Sequence, residues 1–154
     1  MIRQASPADL GAICALNESV QALHVVNRPE TFRPLRAHEL TAHFAELLQD
    51  PSAKIWVSVA DDLVNGYLVG IVRTQAPTLY VLGRTWFELD QMGVAAAARR
   101  TGVARALVQQ GLTFAQARGI QNVELSSWSF NQDAQSAFQK LGFTPKTVRF
   151  EHRQ

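Results

Sequence analysis

Apolar residues recur along this chain with two different periods, and the places where the period changes divide it into elements. Ser6-Pro7-Ala8-Asp9 has the composition of a helix start, with a capping hydroxyl, a proline tolerated in the first turn and an acid at the positive dipole end. Leu10, Ile13, Cys14, Leu16 and Val20 then follow at helical spacing, which predicts a first helix. Leu23 to Leu35, with Pro29, Pro34, His24 and arginines, reads as loop. A second helix is expected from about Ala37 to Leu48, with Leu40, Phe44, Leu47 and Leu48 on one side and Asp50-Pro51 as its stop. Period-two segments come next. Ile55–Ala60 and Gly66–Val72, separated by a turn at Asp61-Asp62, predict an antiparallel pair, and a further strand is expected from about Thr85 to Val94. Gly102 to Arg118 returns to helical spacing and Gly119 closes it. Asn122–Ser126 reads as a strand, Asp133–Leu141 as a short helix, and the loosely alternating tail Thr144–Glu151 as a final strand. Helices, a hairpin, then strand-helix-strand-helix-strand predict an α/β fold: a mixed central sheet with helices on its faces.

At 154 residues the length suits one domain spanning 1–154. Charged residues make up 18% against 47% hydrophobic, which excludes a self-repelling disordered chain. A net charge of +2 is too small for a surface that coats nucleic acid, so any basic function is local. No apolar run reaches membrane-spanning length and the polar start MIRQASPADL is unlike a signal peptide, so a soluble cytoplasmic protein is expected. Cys14 is the only cysteine, which excludes an intrachain disulfide. Its place among the apolar positions of the first helix assigns it to the core rather than to nucleophilic chemistry. No metal site is expected. His38 and His43 are five apart, about 140° around a helix, where a zinc-binding pair needs four, and both read as ordinary surface or boundary residues.

The most informative segment is Val94-Ala95-Ala96-Ala97-Ala98-Arg99-Arg100-Thr101-Gly102-Val103-Ala104-Arg105, between a predicted strand and a predicted helix. Small residues at Gly102 and Ala104 let the amides of a helix start approach an anion, and Arg99, Arg100 and Arg105 add positive potential. The same features also describe a plain helix start with a solvated basic turn. A Walker loop is excluded, since no Gly-Lys-Ser or Gly-Lys-Thr occurs in the chain. A dinucleotide fingerprint fits poorly: Glu124 follows Gly102 by a suitable distance, but Ala104 and Leu107 stand where further glycines belong.

Arg99-x-x-Gly102-x-Ala104 after a strand-ending Val94 resembles the acyl-CoA pyrophosphate motif of the GNAT superfamily of N-acetyltransferases. Asn131-x-x-Ala134-x-x-x-Phe138-x-x-Leu141-Gly142-Phe143 is similar to a second segment of that superfamily at the same spacing, and Ile2-Arg3, Asp9-Leu10 and Val69-Gly70 suit its start and its hairpin. The resemblance spans essentially the whole chain. It implies a GNAT-like, mostly antiparallel sheet with helices on both faces, acetyl-CoA as co-substrate and an amine-bearing small molecule or peptide as acceptor, with no nucleic acid, membrane or metal, and it leaves a homodimer open. By the same resemblance Arg99, Arg100, Thr101, Gly102, Val103, Ala104 and Arg105 would hold the CoA pyrophosphate. Met92 and Val94 would bind the pantetheine arm through their backbones, and Asn131, Ala134 and Phe138 would line the same arm; Asn131 also suits a helix cap.

Direct attack on a thioester needs a neutral amine, and an amine with a pKa near 10.4 is well under ~1% neutral at pH 7. Glu88 and Asp90 lie two apart on a predicted strand, so both side chains fall on one face, where they match positions that supply the base in this superfamily. Glu88 is the first choice of the two; a pair of solvent-facing carboxylates is the competing reading. Phe138 stands where many members carry a tyrosine that protonates the leaving thiolate, and it keeps the ring without the donor. Tyr67 and Tyr80 are the only tyrosines, and the sequence puts neither near the sulfur. Two other readings compete with an acetyltransferase: an acyl-CoA-binding or sensing domain with weak or no catalysis, and a nucleotide-binding or basic interaction domain.

Overall fold

The computed structural model describes residues 1–154. The chain begins with strand β1 (Ile2–Gln4), and the helix start that follows is closed by its own side chains. Asp9 accepts from the Ser6 backbone N–H at 2.7 Å and from Ser6 Oγ at 2.9 Å, while Arg3 grips both of its carboxylate oxygens at 2.8 Å. The Arg3 hydrogen bonds, aided by Ser6, hold the Asp9 carboxyl well below the usual range, so this nearly buried group stays ionised.

One 3-10 turn, Pro7–Asp9, leads into helix α1 (Leu10–Asn27). The helix runs further than the sequence reading allowed, since Leu23–Asn27 is its last turn and not loop. The reason is that the last carbonyls find donors at that end: the Asn27 side chain donates to the Leu23 carbonyl at 2.8 Å and the Arg28 backbone N–H to the His24 carbonyl at 2.8 Å, before Pro29 disfavours continuation. A 3-10 turn at Ala37–Leu40 and helix α2 (Thr41–Gln49) follow.

Strands β2 (Ala53–Ala60) and β3 (Leu63–Gln75) are joined at Asp61 and Asp62, with φ of 49° and 60°. Positive φ at both positions is the signature of a type I′ hairpin turn, and Asp tolerates it better than most residues. Strand β4 (Arg84–Val94), helix α3 (Val103–Ala117), strand β5 (Val123–Leu125) and helix α4 (Gln132–Lys140) complete the order. The sheet runs β1-β2-β3-β4-β5, antiparallel throughout except for the parallel pair β4/β5, whose crossover is α3.

Strand alternation splits the core in two. Ile55, Val57, Tyr67, Val69 and Ile71 face α1 and α2, where Ile13, Cys14, Leu40 and Phe44 cover them. Trp56, Leu68, Phe87 and Leu89 face α3, which contributes Leu107, Val108 and Ala115. Cys14 is thus a core residue, its thiol pKa pushed up by burial. The Phe87 ring fills the space over Gly70, where a Cβ would come within 2.0 Å of it.

The tail does not form the expected last strand. From Thr144 onward it forms no regular element and has no sheet partner, Val148 and Phe150 are 72% and 88% exposed, and ion pairs hold it: Lys146 to Glu124 at 2.6 Å, Arg28 to Glu151 at 2.5 Å, and Arg153 to Glu30. A strand needs a ladder of donors and acceptors, and Pro145 removes a donor beside a three-residue β5. No helix is long and apolar enough to cross a membrane.

Candidate active site

Strand β4 changes character along its length. Phe87–Leu89 pairs with β3 on one side and β5 on the other, but β5 ends at Leu125 while β4 continues to Val94. The pairing with β3 also shifts, with Leu89 opposite Gly70 and Gln91 opposite Val69, so Asp90 is the extra residue of a β-bulge. Past the bulge, Ala95 N–H donates to the Asn65 carbonyl at 2.9 Å, on the β3 side. Alternation therefore turns the peptide groups of Val94 and Met92 toward the edge where no strand lies. The sheet parts there over a cleft of about 520 Å³ that reaches from α1 and α2 across β4 to the loop before α4.

The two carboxylates of β4 divide at this boundary. Glu88, on the paired stretch, is held by Arg73 at 2.7 Å and does not line the cleft. Asp90, at the bulge, does line it, with Arg73 more distant at 3.4 Å. Both do share a face, as their spacing predicts. The Glu88 hydrogen bond, with the charges of Asp90 and Asp50, raises the Arg73 pKa, so this cation is permanent.

Beside Asp90 lies a polar chain that sequence reading missed. Asn17 Nδ2 donates to Tyr67 Oη at 2.8 Å and to Gln91 Oε1 at 3.0 Å. With its carbonyl oxygen thus engaged, Gln91 turns its amide Nε2 outward, donating to Asp90 Oδ2 at 3.2 Å and facing His43 Nε2 at 3.4 Å. Burial pushes the Tyr67 phenol up to about 12, against the lowering effect of the Asn17 hydrogen bond. Tyr67 is fully buried at the cleft floor, whereas Tyr80 is 90% exposed on the β3–β4 loop. His43, read from sequence as an ordinary boundary residue, lies on the cleft wall. Only the polar residue beside Asp90 on the strand hinted at this group, because its members are separated by up to 74 positions.

At the far end of β4, Ala96–Ala98 makes a 3-10 turn and Arg100 and Gly102 take φ of 61° and 92° before α3 starts. Nothing lies within 4 Å of where a Gly102 Cβ would be, so the glycine answers to backbone conformation and to open space. Ala106 N–H makes the first helical bond, to the Gly102 carbonyl at 2.9 Å, which leaves the amides of Val103, Ala104 and Arg105 free of helical acceptors. Thr101 Oγ1 donates to the Ala98 carbonyl at 2.7 Å and braces the turn. Arg99, Arg100 and Arg105 are exposed and form no ion pair. Asn131 caps α4, its side-chain oxygen accepting from Ala134 N–H at 3.3 Å, and Asn131, Ala134 and Phe138 all line the cleft. No group of three or more His, Cys, Asp or Glu side chains is gathered for a metal. The arrangement suits an elongated ligand with an anionic end at the α3 N-terminus and an amide-rich arm along the open edge of β4.

Solved structures share this architecture. A mutant of the BH1408 protein from Bacillus halodurans superposes with a TM-score of 0.93 at 21% identity, covering 100% of this chain and 99% of the other. The aminoglycoside N-acetyltransferase AAC(6')-Iy in complex with CoA gives 0.75 at 19% identity, covering 100% and 99%. The fold is that of GNAT acetyltransferases. Residues 18–143 match the family described as the Acetyltransferase (GNAT) family, and the chain belongs to that family. The mycothiol acetyltransferase of Beutenbergia cavernae is 30% identical over 145 residues, which are 94% of this chain and 44% of that protein. This chain thus spans less than half the length of that relative.

Proposed function

We propose that residues 1–154 act as a single N-acetyltransferase domain that moves the acetyl group of acetyl-CoA to a primary amine of a small molecule or peptide. The observation that carries this reading is the unpaired edge of β4, which runs from Asp90 to the glycine-opened N-terminus of α3. The pyrophosphate would rest on the amides near Gly102 and Val103 to Arg105, with Arg99, Arg100 and Arg105 as counter-charges. The pantetheine arm would pair with Met92 and Val94 as a strand would. Asn131, Ala134 and Phe138 would form the opposite wall. The single buried thiol, Cys14, without a disulfide partner, suits a cytoplasmic setting.

Asp90 is the better base, since it faces the cleft while Glu88 is spent on Arg73. The bound ammonium first gives up one proton, through water, to the Asp90 carboxylate, and the neutral amine nitrogen then forms the new C–N bond at the acetyl carbonyl carbon and sheds its second proton to solvent. The C–S bond breaks, its electron pair leaves with sulfur, and the thiolate takes a proton from solvent. A thiol pKa near 8.5, by analogy with cysteine, makes departure without an acid feasible. That matters because Phe138 has no hydroxyl and the Tyr67 hydroxyl, at the fully buried floor of the cleft, is engaged by Asn17. The same absence of a donor supports the second reading, an acyl-CoA-binding domain with little turnover.

Calorimetric titration with acetyl-CoA, followed by CoA release with a panel of amines, tests both. Micromolar binding with amine-dependent release is expected. Binding without release by any amine would favour the second reading, and no binding would remove both.

A further inference from the structure

The half of the cleft that faces α1 and α2 is walled by aromatic rings drawn from three separate segments. His24 comes from the last turns of α1, Phe32 from the loop after it, and Trp128 from the loop between β5 and α4, where Phe130, outside the cleft lining, packs against His24 and Trp128. Their ring centroids interlock: His24 and Phe32 at 4.8 Å, Phe32 and Trp128 edge-on at 5.2 Å, His24 and Phe130 at 5.7 Å, and Trp128 stacked on Phe130 at 6.2 Å. The Arg28 guanidinium lies 5.3 Å from the Trp128 ring centroid and is itself fixed by Glu30 at 2.8 Å and Glu151 at 2.5 Å. Such a wall is held in place before any ligand arrives, so binding to it loses little side-chain freedom. His24, Phe32 and Trp128 all present surface to the cleft, and Trp128 keeps 38% of its area exposed.

Charge on the same surface is sparse. Asp90 is the one carboxylate that lines the cleft, its charge is already shared with Arg73 at 3.4 Å, and the other polar groups near it are the amides of Asn17 and Gln91, the Tyr67 hydroxyl and the His43 imidazole. A polycation would bring several charges against one, and each unmatched charge would lose water without a partner. The cradle at α3 lies on the opposite face of the sheet, so the wall is not needed for the anionic end of the co-substrate.

We infer that the acceptor is a singly charged primary amine carried on an aromatic or comparably flat apolar body, with its amine at Asp90 and its ring against the His24–Phe32–Trp128 wall. This rests on the acyl-transfer reading above and narrows its substrate class. The extra ammonium groups of a polyamine would meet the Arg28 guanidinium already lying over Trp128 and only one carboxylate in the cleft lining.

The test compares kcat/KM, at saturating acetyl-CoA, for phenethylamine, butylamine, glucosamine, spermidine and kanamycin. Phenethylamine is expected to exceed each of the others by on the order of 10-fold or more. In Trp128→Ala and in Phe32→Leu the ratio of phenethylamine to butylamine should collapse toward one, through KM, and Trp128→Phe should restore most of it. Equal or better use of butylamine, glucosamine, spermidine or kanamycin, or a ratio untouched in both wall variants, overturns the assignment. If acetyl-CoA binds and a non-aromatic amine is preferred, the class is wrong and acyl transfer stands. If acetyl-CoA does not bind, calorimetric titration with phenethylamine alone decides: binding that weakens in Phe32→Leu keeps the aromatic site, and none removes it with the rest.

Discussion

The two halves of β4 are continuous in sequence and unlike in what surrounds them. From Arg84 to Leu89 the strand is secured on both sides: Phe87–Leu89 pairs with two strands, Arg84 bonds to Glu124 and stacks on Trp86 at 4.0 Å, and Glu88 is tied to Arg73. From Asp90 to Val94 only β3 pairs with it, a bulge shifts the register, and the polar side chains contact one another around the cleft. Backbone groups left unpaired inside a fold carry a free-energy cost unless something completes them. The acyl-CoA arm proposed above would complete the half of the strand where the sheet withholds a partner, and the other half is the frame that keeps it open.

The largest effect should come from blocking the end of the open half. Gly102→Asp, at φ of 92°, strains the backbone and sets a negative side chain into the arginine-rich turn, so acetyl-CoA binding should be abolished with the fold intact by circular dichroism. Unchanged affinity in the folded variant would break the link between the open edge and the cradle.

Next in size is the contrast between the carboxylates. Asp90→Asn should lower turnover about 10²–10⁴-fold at neutral pH and recover as pH approaches the amine pKa, while Glu88→Gln should cost far less. Measuring pH–rate profiles of both variants with one acceptor decides it. The reverse order would move the base to the paired half.

A smaller effect is expected from the frame. Gly70→Ala drives a methyl into the Phe87 ring, so stability should fall by about 1–3 kcal/mol, read as a lower denaturant midpoint with little change in acetyl-CoA affinity per folded molecule.

The smallest effect lies outside β4. Asp9 titrates below its ordinary value in the fold, so its contribution is complete above the unfolded pKa of about 3.9 and is lost as pH falls through the lower folded value. Melting temperature should drop more steeply below pH 4 in the wild type than in Asp9→Asn, with activity near pH 7 following the loss of stability alone. An identical acid profile in both would mean that Arg3 does not stabilise the ionised form.

Local signals were legible from the letters alone. The Ser6-Pro7-Ala8-Asp9 start, the positions of β2, β3, β4 and α3, the core assignment of Cys14, and the glycine at the head of α3 all depend on residues within a turn or two of each other. Their physics is complete at that range: a cap, a period, a positive φ. The two motifs that resemble the GNAT superfamily are of the same kind, and family membership followed. What the letters could not settle depends on pairings made across the fold. Glu88 and Asp90 are equivalent by period, and only the bulge and the early end of β5 separate one from the other. Asn17, Tyr67 and Gln91 meet because α1 crosses β3 and β4, and His24, Phe32 and Trp128 meet because two loops close over one end of the sheet. The tail alternates like a strand and is not one, since alternation states which face a residue would take and says nothing of whether a neighbouring edge is there to receive it.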